Sequence, residues 1–588
     1  MDDLIKRYYE AEMRYLREAG KEFAQVHPDR AGMLNLDRVG DRDPYVERLF
    51  EGFAFLMGRL RQKLDDDLPE LTEGVVSLLW PHYLRIIPSL SIVELFPDHN
   101  ILARKEVVEA GFGVQTGPVG PSQTRCKYQT TQTVELQPLK VSKAGVRSHQ
   151  DGRSVIYIRF DFGPMADWKQ MDISNLRLYL NADTPVASAL YRSMVHHVAS
   201  MNIRFPGYQD GATQPFNGKI TPAGFADDER LWLKPDNAFG GYQLLLEYFT
   251  FREKFMFLDL AGLDLNRMPE GSSAFELELI LNEVWADDLP FSAENIRLHC
   301  SPVINLFPLE ADPVRVNQLD SEYLLRPLLQ QDGHIEIYSV DAVQSISRQG
   351  RAVYVPFTSF RHRGGMLRHD TPERYYHTRV RRGASGLHDT WLILGGQVWE
   401  RAAEVYDETL SLRITGTNGM LPRKALRNAS INQISDSQTG VIAVRNLCAP
   451  TLPCYPPVND RFHWRVLSHL APNYLSLMNA EVLRGTLALY DWTDNELNRR
   501  RLEGIVDVKH KPIRRMAKGM LERGVEIEIT LNAHQFPGEG DISLFGELLH
   551  QFFALYADLN LFTRLTLVLL PTGKRLTWND SKTARSPL

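Results

Sequence analysis

Three consecutive aspartates, Asp65, Asp66 and Asp67, are the best carboxylate cluster in the chain. Carboxylates bind divalent cations or relay protons, so the cluster is the first candidate for chemistry. Its spacing argues otherwise. The stretch DPYVERLFEGFAFLMGRLRQKLDDDLPE reads as helix up to these residues, and successive helical side chains point about 100° apart, so three in a row do not converge on one ion. They also stand at the negative end of the helix dipole. They read better as a helix break, with Asp66 or Asp67 capping a short helix that starts at Pro69 and carries Glu70 and Glu73 in its first turn. His196 and His197 are helical neighbours and diverge in the same way. His82, His362, His369, His377 and His388 lack metal-ligand spacing, and Cys126, Cys300, Cys448 and Cys454 form no C-x-x-C pair. The four cysteines read as ordinary reduced thiols. The phosphate-loop, dinucleotide, zinc-protease and nucleophile-elbow motifs do not occur. No catalytic residue, metal ligand or cofactor site is therefore expected.

Two basic stretches remain. FRHRGGMLRHDTPERYYHTRVRR carries Arg361, Arg363, Arg368, Arg374, Arg379, Arg381 and Arg382 around Tyr375 and Tyr376. RRRLEGIVDVKHKPIRRMAKGMLERG carries Arg499 to Arg501, Lys509, Lys511, Arg514, Arg515, Lys518 and Arg523. A solvated loop is the commonest home for such residues. An acidic protein partner is the next reading, since Arg and Tyr are enriched at interfaces. Nucleic acid is the third. The formal net charge of −6 and pI near 6.3 supply no overall basic field for nucleic acid or anionic lipid.

The elements behind these residues come from length and periodicity. A chain of 588 residues, 43% hydrophobic and 24% charged, has the composition of a globular protein. Its length suggests about three or four domains. MDDLIKRYYEAEMRY is charged from its second residue and has no signal-peptide core, and no apolar run is long enough to span a bilayer. The expectation is a cytoplasmic multidomain protein without membrane insertion.

Leu4, Tyr8, Ala11, Tyr15, Ala19, Phe23 and Val26 recur at steps of three and four and predict a first helix with a narrow apolar stripe. A second helix follows Asp43 and Pro44, with Val46, Leu49, Phe50, Phe53, Met57, Leu60 and Leu64 as its stripe. Its segment Phe53-Ala54-Phe55-Leu56-Met57 is apolar on every side, and such a helix must be surrounded. The cover comes either from the β-rich remainder or from other subunits, and periodicity does not choose. A third helix runs from about Pro69 to Trp80.

From Ser91 the texture changes. SIVELF, VIYIRFDF, LRLYL, NIRF, FELELIL, HIEIYSV and AVYVPF read as strands, interrupted by one helix from about Pro185 to Ser200. Residues 206–240 read as long loop. Trp464–Trp492 looks helical; VEIEITLN, ISLFGELLHQFFALYADLNLF and RLTLVLL read as strand, helix, strand. The predicted class is α+β: an N-terminal helical segment over 1–90, mostly β domains with long loops over 91–312 and 313–457, and an α/β domain over 458–588.

Against this frame the chain resembles the TssF (ImpG/VasA) family of type VI secretion baseplate subunits. The resemblance runs through DPYVERLFEGFAFLMGRLRQKLDDDLPELTEGVVSLLWPHYLRIIPSLSIVEL, GGYQLLLEYFTFREKFMFLDL, SPVINLFPLEADPV, WRVLSHLAPNYLSL and GVEIEITLNAHQFPGEGDISLFGELLHQFFALYADLNLFTRLTL, in that order. Two places depart from the family pattern, the GTNG at Gly416–Gly419 and Ala471-Pro472-Asn473-Tyr474 after SHL. The resemblance implies a non-catalytic wedge subunit that assembles with TssG, TssE, TssK and a second TssF copy around a VgrG hub. It implies that the wedge supports tube and sheath growth, couples its rearrangement to contraction, and sits in a cytoplasmic baseplate docked at the inner-membrane complex. It tips the question of the second helix toward a bundle between subunits. Expected partner-binding residues are Leu4, Tyr8, Tyr15, Phe23, Leu49, Phe50, Phe53, Leu56, Met57, Leu60 and Leu64, with Arg374, Arg381, Arg382, Arg514 and Arg515 from the basic stretches. A dispersed-site enzyme and a nucleic-acid binder are the alternatives.

Overall fold

The structure, a computed structural model, describes residues 48–57, isolated positions at Met13, Leu16 and Val76, and most of 81–581, with the longest gaps at 357–373, 396–407 and 458–476, where only Val466 is described. The chain divides into two compact units. One gathers Met1–Leu84 with Val458–Leu470, and the other holds Arg85–Pro457 and Ala471–Leu588.

In the first unit residues 48–57 are helical, as are Met13, Val76 and Val466, all three buried. The Asp65–Asp67 cluster and most of the first and third expected helices lie outside the described residues. The grouping of 458–470 with the N-terminus departs from the expected 458–588 domain.

The second unit is mostly β, as the sequence predicts. Its first sheet runs in the order Ile431–Ile434, Gly113–Val119, Thr124–Thr130, Cys300–Ile304, Leu90–Pro97, Val441–Asn446, and every pair in it is antiparallel. Val93, Leu95, Val114, Tyr128, Val303 and Val444 meet in its core. The last two strands of the expected 313–457 domain thus complete the sheet of the domain before it. A second sheet orders Thr213–Phe216, Val198–Arg204, Ala274–Leu281, Ser154–Phe162 and Leu139–Ser148. A third orders Lys219–Pro222, Phe257–Ala261, Asn175–Leu180 and Ile296–Arg297. A fourth is built on the neighbours Glu408–Thr417, Glu336–Ser347 and Gly350–Pro356.

Ala274–Leu281 alternates apolar residues with Glu276 and Glu278, yet all eight residues are buried. It is a central strand. Arg147 on a strand two places away ion-pairs with both glutamates, and Arg204 adds to Glu276, so the polar face is neutralised beneath other side chains rather than left in water.

The α/β part near the C-terminus orders Ile505–Ala517, Met520–Asn532, Leu561–Leu570 and Lys574–Thr577, with Met520–Asn532 and Leu561–Leu570 parallel. The helix Glu539–Tyr556 connects these two and packs on the helices Thr184–His196 and Gly240–Thr250. Its residues 540–550 are buried without interruption. Two glycines allow the close approach: a Cβ on Gly540 would lie 2.2 Å from the Ser188 carbonyl oxygen, and one on Gly546 would lie 2.2 Å from the Trp578 ring.

Several local expectations are corrected. The helix expected from Pro185 to Ser200 ends at His196, because Val198–Arg204 pairs with Ala274–Leu281 and sheet pairing overrides local helix preference. The expected loop 206–240 holds the strands Thr213–Phe216 and Lys219–Pro222, both at sheet edges where Pro215 and Pro222 are tolerated. Gly240–Thr250 is a helix without an amphipathic stripe, since Gly240 through Phe249 are all buried, and periodicity cannot find such a helix.

Candidate partner-binding surfaces

The helix at 48–57 carries the main expected surface. Its spacing puts Leu49, Phe53 and Leu56 on one face, at i, i+4 and i+7. That face is open, with Leu49 70%, Phe53 52% and Leu56 66% exposed. Ala54 is fully buried, and Phe50, Phe55 and Met57 are half-buried. The segment that reads as surrounded is therefore covered on one side and bare on the other within a single chain. Leu4, Tyr8, Tyr15, Phe23, Leu60 and Leu64 lie outside the described residues.

The basic stretches sort by geometry. Arg374 ion-pairs with Glu408 at 3.7 Å and stacks over Tyr354 at 5.9 Å, while Glu408 also accepts from the Tyr354 and Ser345 hydroxyls. Arg381 grips Glu322 with both Nη atoms, at 2.6 and 3.0 Å, and lies over Trp391. Arg382 ends its strand opposite His388. Arg374 and Arg381 are thus committed within the chain.

The second stretch is a helix, Glu496–Glu503, followed by a long hairpin of Ile505–Ala517 and Met520–Asn532. Pro512 hides the first strand from a sequence reading, and it stands on the sheet edge, where its missing N–H costs nothing. Along this strand Arg515 turns inward to Glu522, Asp580 and the Phe562 ring. Its neighbour Arg514 points to the other face and is exposed. Across the hairpin Arg514 pairs in register with the exposed Arg523, and Met516 with Leu521. Met516 is 70% and Leu521 58% exposed. The hairpin tip therefore presents two like charges and two apolar side chains on one face, a combination that is unfavourable alone and suited to an acidic, partly apolar partner. Met516 and Leu521 escaped the sequence reading, and Arg523 was read only as a member of the basic stretch, because only the pairing register brings them beside Arg514.

Among the described residues no set of three His, Cys, Asp or Glu side chains is placed to hold a metal ion. All four cysteines are free thiols, and burial pushes the Cys126 and Cys454 thiols up to about 11 and Cys448 up to about 12. No described helix is long and apolar enough to cross a membrane.

Two histidines are held neutral by burial. His299 falls to about 3, chiefly through burial and then through the charge of His99, and its Nε2 accepts from the Gln137 N–H at 3.0 Å. His550 falls to about 4 through burial, whereas His196, edge-on to the Trp578 ring, is exposed. Each of the two buried histidines contributes stability that is fully present above the unfolded value of 6.5 and is lost as pH falls toward the folded value. Each steepens the loss by about 1.4 kcal/mol per pH unit in that window. Denaturation midpoints should therefore drop sharply between pH 7 and 5. His299→Asn, which tolerates the backbone φ of 56° found there, should flatten the slope. Stability unchanged from pH 7 to 5 refutes this account.

The sequence model of the family described as "Type VI secretion system, TssF" matches residues 1–585. The chain is 28% identical over 642 aligned positions to "Type VI secretion system component TssF1" of Pseudomonas aeruginosa, with both chains covered in full. It is 56% identical to a chain of the type VI secretion system TssK-TssF-TssG baseplate subcomplex solved by cryo-electron microscopy. That comparison has a TM-score of 0.81 and covers 92% of this chain and 100% of the other. It is also 52% identical, with a TM-score of 0.66, to a chain of the type VI secretion system baseplate complex, covering 99% of this chain and 100% of that one.

Proposed function

The chain belongs to the type VI secretion system TssF family, and from that premise we propose that it is a non-catalytic structural subunit of the baseplate wedge. It joins TssG-like and TssK-like subunits, a second copy of itself and TssE around a VgrG hub. The wedge supports growth of tube and sheath, and its rearrangement accompanies contraction. The baseplate lies in the cytoplasm, docked at the inner-membrane complex.

The observation that carries this reading is the bare face of Leu49, Phe53 and Leu56. Three large apolar side chains in line on one helix are a surface waiting for cover. By sequence spacing Leu60 and Leu64 continue the second expected helix, and Leu4, Tyr8, Tyr15 and Phe23 belong to the stripe of the first. The solved relative that is 56% identical belongs to a TssK-TssF-TssG subcomplex, which supports the first two partners. TssE, the hub and the second copy rest on the family resemblance. The hairpin face of Arg514, Met516, Leu521 and Arg523 offers a second, electrostatic contact to an acidic neighbour.

Co-expression with TssG-like and TssK-like subunits tests the reading. A tagged chain should bring both down in a stable complex, with two copies per TssG-like subunit by native mass spectrometry. Recovery of the chain only as a free monomer overturns it.

A further inference from the structure

A cleft of about 620 Å³ opens in the second unit between the loop at Asp227–Trp232, the Thr124–Thr130 strand and the Glu336–Ser347 strand. A space of this size holds a few residues of peptide. The loop that forms one wall is anchored with unusual care. The Glu229 carboxylate accepts from the Gly224 and Ala226 N–H groups and pairs with Arg177. Its backbone is held by Gln132 at the Glu229 carbonyl, Glu247 at the Leu231 N–H and Gln243 at the Trp232 carbonyl.

What this scaffold presents to the cleft is left unsatisfied. The Arg230 side chain is 3% exposed, and its Nε and Nη1 have no acceptor; its Nη2 reaches only Asp227, at 3.3 Å. The buried Trp232 indole N–H also has no acceptor. Buried donors are normally satisfied, so a rigid, donor-only wall calls for an acceptor from outside. Across the cleft the Arg85 guanidinium lies over Tyr338 at 5.3 Å. Leu231 and Leu306 line the space between. Asp341 in the same wall already accepts from Ser339 and Thr415. Asp227 and Asp228 stand exposed at the rim. The interior is cationic and the rim acidic, a pattern that admits one carboxylate and repels a polyanion.

We infer that this cleft seats an aspartate or glutamate from a peptide segment of a neighbouring subunit, flanked in that segment by neutral or basic residues. The peptide source rests on the baseplate reading above; the carboxylate chemistry does not.

Photo-crosslinking tests it in the assembled complex, with p-benzoylphenylalanine in place of Tyr338. The expected product joins a partner peptide that carries Asp or Glu within about two residues of the attachment. Its yield should fall at least tenfold in Arg230→Gln and in Arg85→Gln; if Arg230→Gln fails to fold, Arg85→Gln decides. An assembled complex without a crosslink, an attached peptide without an acidic residue, or yields unchanged in both variants overturns the inference. On the purified chain, acetyl-Gly-Glu-Lys-amide should bind at least tenfold tighter than its Gln counterpart and tighter than free glutarate. Equal binding of the Gln peptide, or of glutarate, also overturns it. If no complex assembles at all, the baseplate reading fails and the titration alone decides the cleft.

Discussion

Phe53→Asp is expected to abolish co-purification with a TssG-like subunit while leaving the chain soluble and folded. The two halves of that result have different causes. Phe53 is 52% exposed, so in the free chain the substitution is a surface change worth about 0.5 kcal/mol or less. In a helical bundle the same carboxylate is buried without a partner, which costs several kcal/mol. A loss of about 3 kcal/mol lowers affinity more than a hundredfold. Phe53→Leu keeps the apolar area and should assemble normally. Pull-down yield against TssG, with hydrogen exchange over Glu539–Tyr556 as a folding control, reads both outcomes. Normal recovery of the complex by Phe53→Asp removes the bundle from the proposed function.

The second large effect lies within the fold. Asp541 is 1% exposed and accepts from Arg501 Nε and Nη2 at 2.8 and 3.0 Å. Arg252, next to the Gly240–Thr250 helix, ion-pairs with the same carboxylate. Asn498 adds a bond to the Phe249 carbonyl at 3.0 Å and accepts from Arg501. One carboxylate thus holds Arg501 of its own C-terminal part and, through Arg252, fastens that part to the segment that follows the Gly240–Thr250 helix. Asp541→Asn leaves two buried cations facing a neutral amide, and breaking a buried pair in this way costs about 3–5 kcal/mol. The expected result is a lower thermal midpoint and faster hydrogen exchange throughout Glu539–Tyr556. Adding Arg501→Gln should restore part of the loss, because the two side chains interact. A loss below about 1 kcal/mol, within the range of ordinary single substitutions, means that the carboxylate is not the fastener.

The sequence by itself determined the class of the molecule. Strands such as Leu90–Pro97, buried along nearly its whole length, and Ser154–Phe162, and the helix Glu539–Tyr556 were legible because their hydrophobic patterns are local. Periodicity put Leu49 and Phe53 on one stripe with Phe50 and Met57, which are half-buried; that Leu56 rather than these completes the open face is seen only in the structure. The family was legible because long blocks keep their order along the chain.

What only the tertiary structure decided depends on pairing between distant residues. Gly240–Thr250 is buried all round and has no period to read. The return of Ile431–Ile434 and Val441–Asn446 to the first sheet is a choice of partner strand, which no window of sequence contains. The separation of Arg515, turned inward to Asp580, from Arg514, left outside, follows from the register of one hairpin. The Arg230 cleft needs three segments far apart in the chain. Local patterning states which faces are apolar; which face meets which, and which charge stays unpaired, is settled only when the chain closes on itself.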